Sequence, residues 1–198
     1  MKTLFSVFGA ALLLGGSALA QQVGDPAPAF EAETTAGETI SLSDFEGRKV
    51  VLEWTNAECP FVQKHYGANN MQSLQKRMTA DGTVWITVNS SAPGKHGHVT
   101  PEDADRLTEE RGAAPTHVVL DEDGAIGRAY GAKTTPHMYV IDEEGVLRYN
   151  GAIDTIPSTD QADVPRAENY VVAALDSLDR GQAVVTSRTQ PYGCSVKY

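Results

Sequence analysis

The apolar positions of this chain change period along its length, and each change marks an element. Lys49–Trp54 (KVVLEW) and Thr83–Asn89 (TVWITVN) are short apolar runs rich in β-branched and aromatic residues, the pattern of strands buried on both faces. Between them Val62, Tyr66, Met71, Leu74 and Met78 recur at roughly helical spacing, which predicts one helix over 60–78, and Asp81-Gly82 turns the chain into the second strand. Upstream, Ala29–Glu33 and Thr39–Leu42 flank an Ala36-Gly37 turn and predict a β-hairpin. Downstream, Thr100-Pro101-Glu102-Asp103 reads as a helix start: a capping hydroxyl, a proline at the position whose N–H is not needed, and acids at the positive end of the helix dipole. That helix is predicted to reach Arg111 and stop at Gly112. Thr116–Leu120, His137–Asp142 and Val146–Asn150 read as strands, with turns at Asp123-Gly124 and Glu144-Gly145. Ala167–Arg180 is a last amphipathic helix, ended by Gly181.

The predicted order is a hairpin followed by β-α-β-α-β-α-β-β-α. Strands joined by helices imply parallel pairing through right-handed crossovers, and the adjacent strands either side of Glu144-Gly145 must be antiparallel. The expectation is an α/β domain with one mixed sheet and helices on both faces. Internal repeats and low-complexity runs are absent.

The first twenty residues follow a different pattern. Lys2 precedes an almost unbroken apolar stretch, Leu4 to Leu14, and Ala18-Leu19-Ala20 supplies the small-x-small triplet that a signal peptidase reads. The stretch is too short for a permanent membrane span. The predicted organisation is a signal peptide over 1–20 cleaved after Ala20, a domain over 21–180, and a C-terminal tail over 181–198. The chain carries 16 Lys plus Arg against 26 Asp plus Glu, a net charge of −10; loss of Lys2 takes this to −11. Such an acidic balance excludes nucleic acid and anionic lipid as partners. The expected location after cleavage is the periplasm, free of the membrane.

Two cysteines remain, Cys59 and Cys194. Cys59 follows a buried strand and precedes Pro60, which takes the first helical position. A thiol reacts as its thiolate, and the unpaired N–H groups and dipole at a helix start favour that form by about 1–2 kcal/mol, or about one pKa unit. Glu58 opposes this, weakly if it points to water.

Cys59-Pro60 after a strand, and Thr134-Thr135-Pro136 leading into a later one, together resemble the thioredoxin superfamily. More narrowly, the chain is similar over residues 23–180 to exported thioredoxin-like and peroxiredoxin-like proteins of the alkyl hydroperoxide reductase/thiol-specific antioxidant (redoxin) group. The resemblance implies a thioredoxin-like fold, a cis peptide bond at Pro136 beside Cys59, and a Thr135 backbone that docks an extended substrate segment. Two departures limit it. The second cysteine of Cys-x-x-Cys is replaced by Val62, and the peroxidase pattern Pro-x-x-x-Thr-x-x-Cys is absent, because Thr55 lies four residues before Cys59 and Val51 stands where the proline would fall.

Cys194, in the turn-prone segment Pro191-Tyr192-Gly193-Cys194, can replace the lost resolving thiol if the tail folds back over the site. The even cysteine count and the exported compartment predict a Cys59–Cys194 disulfide across 135 positions, either a structural staple or a redox couple. Copper is the competing ligand for Cys59 with His65 and Met71. Positions six apart on a helix, however, diverge by about 120°, and His96-Gly97-His98 lacks a third ligand, so no metal is predicted. The acidic runs at 102–105, 121–123 and 142–144 are read as caps and turns, and Trp54 and Trp85 as core. No phosphate-binding glycine loop follows a strand, so no organic cofactor is implied.

The sequence therefore reads as a periplasmic thiol–disulfide oxidoreductase or antioxidant-type redoxin. Cys59 is its nucleophile, Cys194 its possible resolver, Thr135 and Pro136 its docking loop, and Pro60 and Glu58 the supporting residues. Its partner would be a protein thiol or disulfide, or a small disulfide or peroxide. A non-catalytic module that holds copper or docks a protein is the alternative, and a thiol peroxidase a weaker one.

Overall fold

The hairpin forms in the computed structural model, which describes residues 22–198. Strand β1 (Glu31–Glu33) pairs antiparallel with β2 (Thr39–Ser41) around a turn where Gly37 adopts φ +79°. The signal-peptide prediction over 1–20 lies outside the described residues. A 3₁₀ turn at Leu42–Phe45 then leads to β3 (Val50–Trp54), whose five residues are all buried.

The helix predicted over 60–78 is two helices, α1 (Pro60–Gly67) and α2 (Asn70–Ala80). Asn69 sits between them in the left-handed region at φ 54°, a conformation asparagine tolerates better than most residues. The apolar spacing carries the trace of this break. Val62 to Tyr66, Met71 to Leu74 and Leu74 to Met78 are steps of three or four, but Tyr66 to Met71 is a step of five, which a single helix could not keep on one face. All five side chains are nonetheless buried in one cluster, because the kink restores the direction the extra residue loses.

Strand β4 (Val84–Asn89) pairs parallel with β3, and after α3 (Pro101–Glu110) the strand β5 (His117–Leu120) pairs parallel with β4. The start of α3 is as predicted, with the Thr100 hydroxyl accepting from the Asp103 N–H at 3.2 Å. Next come α4 (Ala125–Tyr130), the two-residue β6 (Thr134–Thr135), β7 (His137–Ile141), β8 (Leu147–Gly151), a 3₁₀ turn at Gln161–Arg166, α5 (Tyr170–Asp179) and the two-residue β9 (Cys194–Ser195). The main sheet has the order β5-β4-β3-β7-β8.

One expectation from the helix-joined pattern fails: β7 follows a helix yet runs antiparallel to β3. A parallel return needs a connection that carries the chain back along the full strand. At six residues α4 rises about 9 Å, whereas a five-residue strand spans about 17 Å. The chain therefore re-enters the sheet from the end where β5 finished. That entry places Thr135 and Pro136 at the end of the sheet where β3 delivers the segment leading to Cys59, and Trp54 pairs with His137.

The sheet divides the core in two. Leu52, Trp54, Ile86, Val88 and Tyr139 face the hairpin and α4, while Val51, Trp85, Met138 and Val140 face α1, α2 and α5. Alternation along β3 sends neighbours to opposite sides. Trp54 and Trp85 are core residues, as read. Among the described residues no helix is long and apolar enough to cross a membrane.

Candidate active site

Cys59 is the N-cap residue of α1, extended at φ −77° and ψ 121°, with Pro60 at the first helical position. What holds it there is a residue the sequence gave no reason to single out. Asn56, 2% exposed, accepts from the Cys59 N–H through its carbonyl (3.1 Å) and from the Glu58 N–H through Oδ1 (2.9 Å), while its Nδ2 donates to the His96 carbonyl (3.1 Å). Gly97, at φ +83°, lets the His96–His98 loop close over that amide. A Cβ there would lie 2.0 Å from the Asn56 side chain. On the other flank Arg111 stacks over the Tyr66 ring, 4.6 Å from its centroid, and donates to the Ala57 carbonyl at 3.1 Å.

Glu58 points outward and pairs with His96 Nε2 at 3.0 Å, both side chains more than half exposed. That is the arrangement in which its charge acts weakly on the neighbouring sulfur. His98 pairs with Glu122 at 2.7 Å, so the two loop histidines face separate carboxylates. Among the described residues no group of three or more His, Cys, Asp or Glu side chains could hold a metal ion.

Facing Cys59 across the end of the sheet is the Thr135–Pro136 peptide bond, which is cis. The Cys59 thiol donates to the Thr135 carbonyl at 3.0 Å. The tail does fold back: β9 pairs antiparallel with β6, with Thr135 opposite Cys194 and Thr134 opposite Ser195. Both cysteines are thiols here, Cys59 only 1% exposed and Cys194 half-buried, and they are hydrogen-bonded to each other.

The two thiols differ in acidity. Burial pushes Cys59 up, but hydrogen bonds from the Cys194 thiol, the Thr135 side chain and the Val62 N–H outweigh it and leave Cys59 below its ordinary value. Burial also pushes Cys194 up, and its proton is further held by the hydrogen bond and charge of Cys59, to about 11. The Thr135 hydroxyl, buried and without a partner while Cys59 is a thiol, is a donor available to a thiolate. The arrangement favours Cys59 as the sulfur that ionises first, with Cys194 keeping its proton and donating it.

The tail is anchored by a buried polar cluster. Tyr192 donates to Asp154 Oδ1 and stacks edge-on against Phe61, with ring centroids 5.8 Å apart. Lys64 Nζ lies 3.3 Å from Asp154 Oδ2 and donates to the Ile156 carbonyl at 2.8 Å. Because Tyr192 gives its proton to Asp154, His65 Nε2–H must be the donor in the 3.2 Å contact with the Tyr192 hydroxyl. His65 Nδ1 then accepts from Asn70 Nδ2 at 2.9 Å. Burial lowers the His65 pKa to about 4, so the ring is neutral. Both its nitrogens are thereby engaged and Met71 is in the core, so Cys59, His65 and Met71 form no shared ligand set.

Beneath the site lies a second residue that was missed. Glu53 is fully buried on β3 and accepts from Tyr66 (2.9 Å), Trp85 Nε1 (2.9 Å) and Gln75 Nε2 (3.0 Å). Its burial raises its pKa against the effect of these donors. The available signal was a single acid inside an otherwise apolar strand, VVLEW. The carboxylate ties β3, β4, α1 and α2 together below the Cys59 segment.

Comparison with known proteins agrees with this geometry. A thioredoxin-like protein of Bacillus subtilis strain 168, YneN, is 30% identical over 127 residues, 64% of this chain and 69% of that one. A crystal structure of an uncharacterised conserved protein from Geobacillus kaustophilus superposes with a TM-score of 0.74 at 25% identity, covering 89% of this chain and 92% of the other. A protein from Chlorobium tepidum described as a thiol:disulfide interchange protein, DsbE, matches at 26% identity with a TM-score of 0.54, over 66% of this chain and 85% of that one. The AhpC/TSA family model matches residues 23–150, from just before the hairpin to the end of the main sheet. With the sheet order, the Cys59 helix start and the facing Thr135–Pro136 segment, this makes the chain a member of the AhpC/TSA redoxin family within the thioredoxin superfamily.

Proposed function

We propose that this protein is an exported thiol–disulfide oxidoreductase in which Cys59 attacks and Cys194 resolves. The observation that carries the reading is the pairing of Thr135 with Cys194, which brings two thiols 135 positions apart into hydrogen-bond contact with opposite shifts in acidity. In the forward direction the Cys59 thiolate attacks a substrate disulfide. A Cys59–substrate disulfide forms, and the other substrate sulfur leaves as a thiolate and takes a proton. Cys194 then loses its proton and attacks the Cys59 sulfur, and the second substrate thiol is expelled. The substrate gains two electrons, and the two protein thiols become one disulfide, which a dithiol must reduce before the next turnover.

Disulfide exchange is favoured over peroxide reduction because the threonine of the peroxidase pattern is displaced: Thr55 Oγ1 is buried without a hydrogen-bond partner on the strand side of the loop. The pattern over residues 1–20 supports a periplasmic location, and the domain reading puts the catalytic fold at 21–180 and the resolving tail at 181–198.

The test is a titration of residues 21–198 in dithiol redox buffers, following alkylation of each cysteine. The expected result is a reversible Cys59–Cys194 bond with a potential above about −300 mV. In Cys194→Ser the reaction should stop at a mixed disulfide on Cys59. Two thiols that stay free under oxidising buffer, or a bridge that no dithiol opens, would overturn the proposal in favour of a redox-silent binding module or a structural staple.

A further inference from the structure

The backbone edge of Thr134 and Thr135, beside Cys59, is where an extended substrate segment would hydrogen-bond in a fold of this kind. Here that edge is filled. Cys194 and Ser195 pair with it as β9, and the next residues continue the contact. The Val196 N–H donates to the Lys133 carbonyl (3.1 Å), the Lys197 carbonyl accepts from the Ala92 N–H (3.0 Å), and the Tyr198 hydroxyl donates to the Ala132 carbonyl (2.8 Å). The approach is as close as backbone allows. Gly193 has φ +134°, and a Cβ on it would lie 2.0 Å from the Thr135 carbonyl oxygen.

We infer that residues 192–198 act as a built-in occupant of the polypeptide-docking edge, latched by Tyr192, so that Tyr192 and Gly193 determine how far this site favours small disulfides over polypeptide ones. The inference rests on the oxidoreductase reading of Cys59 and deepens it by naming the substrate class. A small disulfide needs only the Cys194 side chain to swing aside. A polypeptide must displace a strand, and with it the Tyr192 ring seated against Phe61 and bonded to Asp154 and His65. Tyr192 lies two residues from Cys194 and touches α1, the helix that Cys59 caps, so its release frees the edge without disturbing the loop that Asn56 holds.

The experiment uses the Cys194→Ser chain, so that reaction stops at Cys59, and two probes with the same leaving group. One is a synthetic peptide with the sequence of residues 191–198, its cysteine blocked as a mixed disulfide with thionitrobenzoate; the other is cysteamine blocked in the same way. In each case Cys59 forms a disulfide with the probe's sulfur and thionitrobenzoate is released, which its colour reports. The measured quantity is the ratio of the two second-order rate constants. In Tyr192→Ala this ratio should rise about tenfold, the factor expected when loss of one buried hydrogen bond to a charged group raises the undocked fraction. In Gly193→Ala it should rise at least about threefold, because the added Cβ collides with the Thr135 carbonyl and pushes the tail off the edge. Val185→Ser, at a side chain 95% exposed, should leave it unchanged. A variant that merely loosened the fold would move both rates together. A ratio within twofold of the parent in both tail variants would overturn the inference while leaving the reactivity of Cys59 intact. Failure of Cys59 to react with either probe would overturn the oxidoreductase reading and this inference with it.

Discussion

The two thiols reach the same point by opposite routes. Cys59 is placed by its neighbours in sequence: β3 delivers it, Asn56 fixes its backbone and Pro60 starts the helix, with β3, Asn56 and Cys59 all buried. Cys194 is placed by contacts with residues scattered over the chain, Thr135, Asp154, His65 and Phe61, through a tail whose side chains are mostly half-buried. Segments with few fully buried contacts open at lower free energy than core strands. Cys59 is therefore built into the rigid part of the fold and Cys194 into a part that can leave, which is the division of labour that the proposed two-step exchange needs.

Breaking the first half should have the largest effect. Cys59→Ser should abolish disulfide exchange, a loss of at least about a thousandfold since no other thiolate lies at a helix start; turnover assays on the purified variant measure it. Acid should come next, acting on the fold. Burial holds His65 and His137 neutral with pKa values of about 4 against an ordinary 6.5. Their contribution to stability is thus complete above pH 6.5 and is lost as pH falls toward 4, by up to about 3 kcal/mol for each ring. Denaturant melts at pH 7 and pH 4.5 should show the drop. His65→Gln should shrink it and free the tail, because that ring also supports Tyr192.

Asn56→Ala should cost about 1–3 kcal/mol by leaving the Glu58 N–H and the His96 carbonyl without their partner. It should also slow alkylation of Cys59, since the loop loses its brace. Amide exchange offers a sharper comparison of the two regions: the N–H groups of 194–198 should exchange faster than those of 50–54 in the reduced protein and approach them once the disulfide forms. The smallest effect is expected at Glu58→Gln. That side chain is largely exposed, so the reactivity profile of Cys59 with pH should shift by only a few tenths of a unit.

These contrasts also explain what could be read in the sequence. The strands of the main sheet and hairpin, the start of α3, the Cys59 helix start and the Thr135-Pro136 segment that faces it were legible because each is set by a local pattern: period, cap, proline. Two errors had one origin. The single helix over 60–78 and the parallel β7 both came from extending a local rule past a local exception, Asn69 in one case and the shortness of α4 in the other. Asp154 and Glu53 were missed because their partners lie far along the chain, and Asn56 because the amide that makes its local bonds is held in place by the distant His96 carbonyl. An asparagine in a loop and an acid in a strand carry no sign of the donors that fold against them.

The separation of the thiols along the chain also has an electrochemical consequence. A bond between Cys59 and Cys194 would close a ring of 135 positions, which by the loop-entropy argument destabilises the unfolded chain relative to the folded one by about 5 kcal/mol. Linkage requires the same free energy to reappear in the bond. Folding would hold the couple about 100 mV more reducing than the same two cysteines in the unfolded chain. A change that weakens the oxidised and the reduced fold equally would leave this difference intact, whereas one that weakens the oxidised fold more would raise the potential, so the potential reports the gap between the two stabilities.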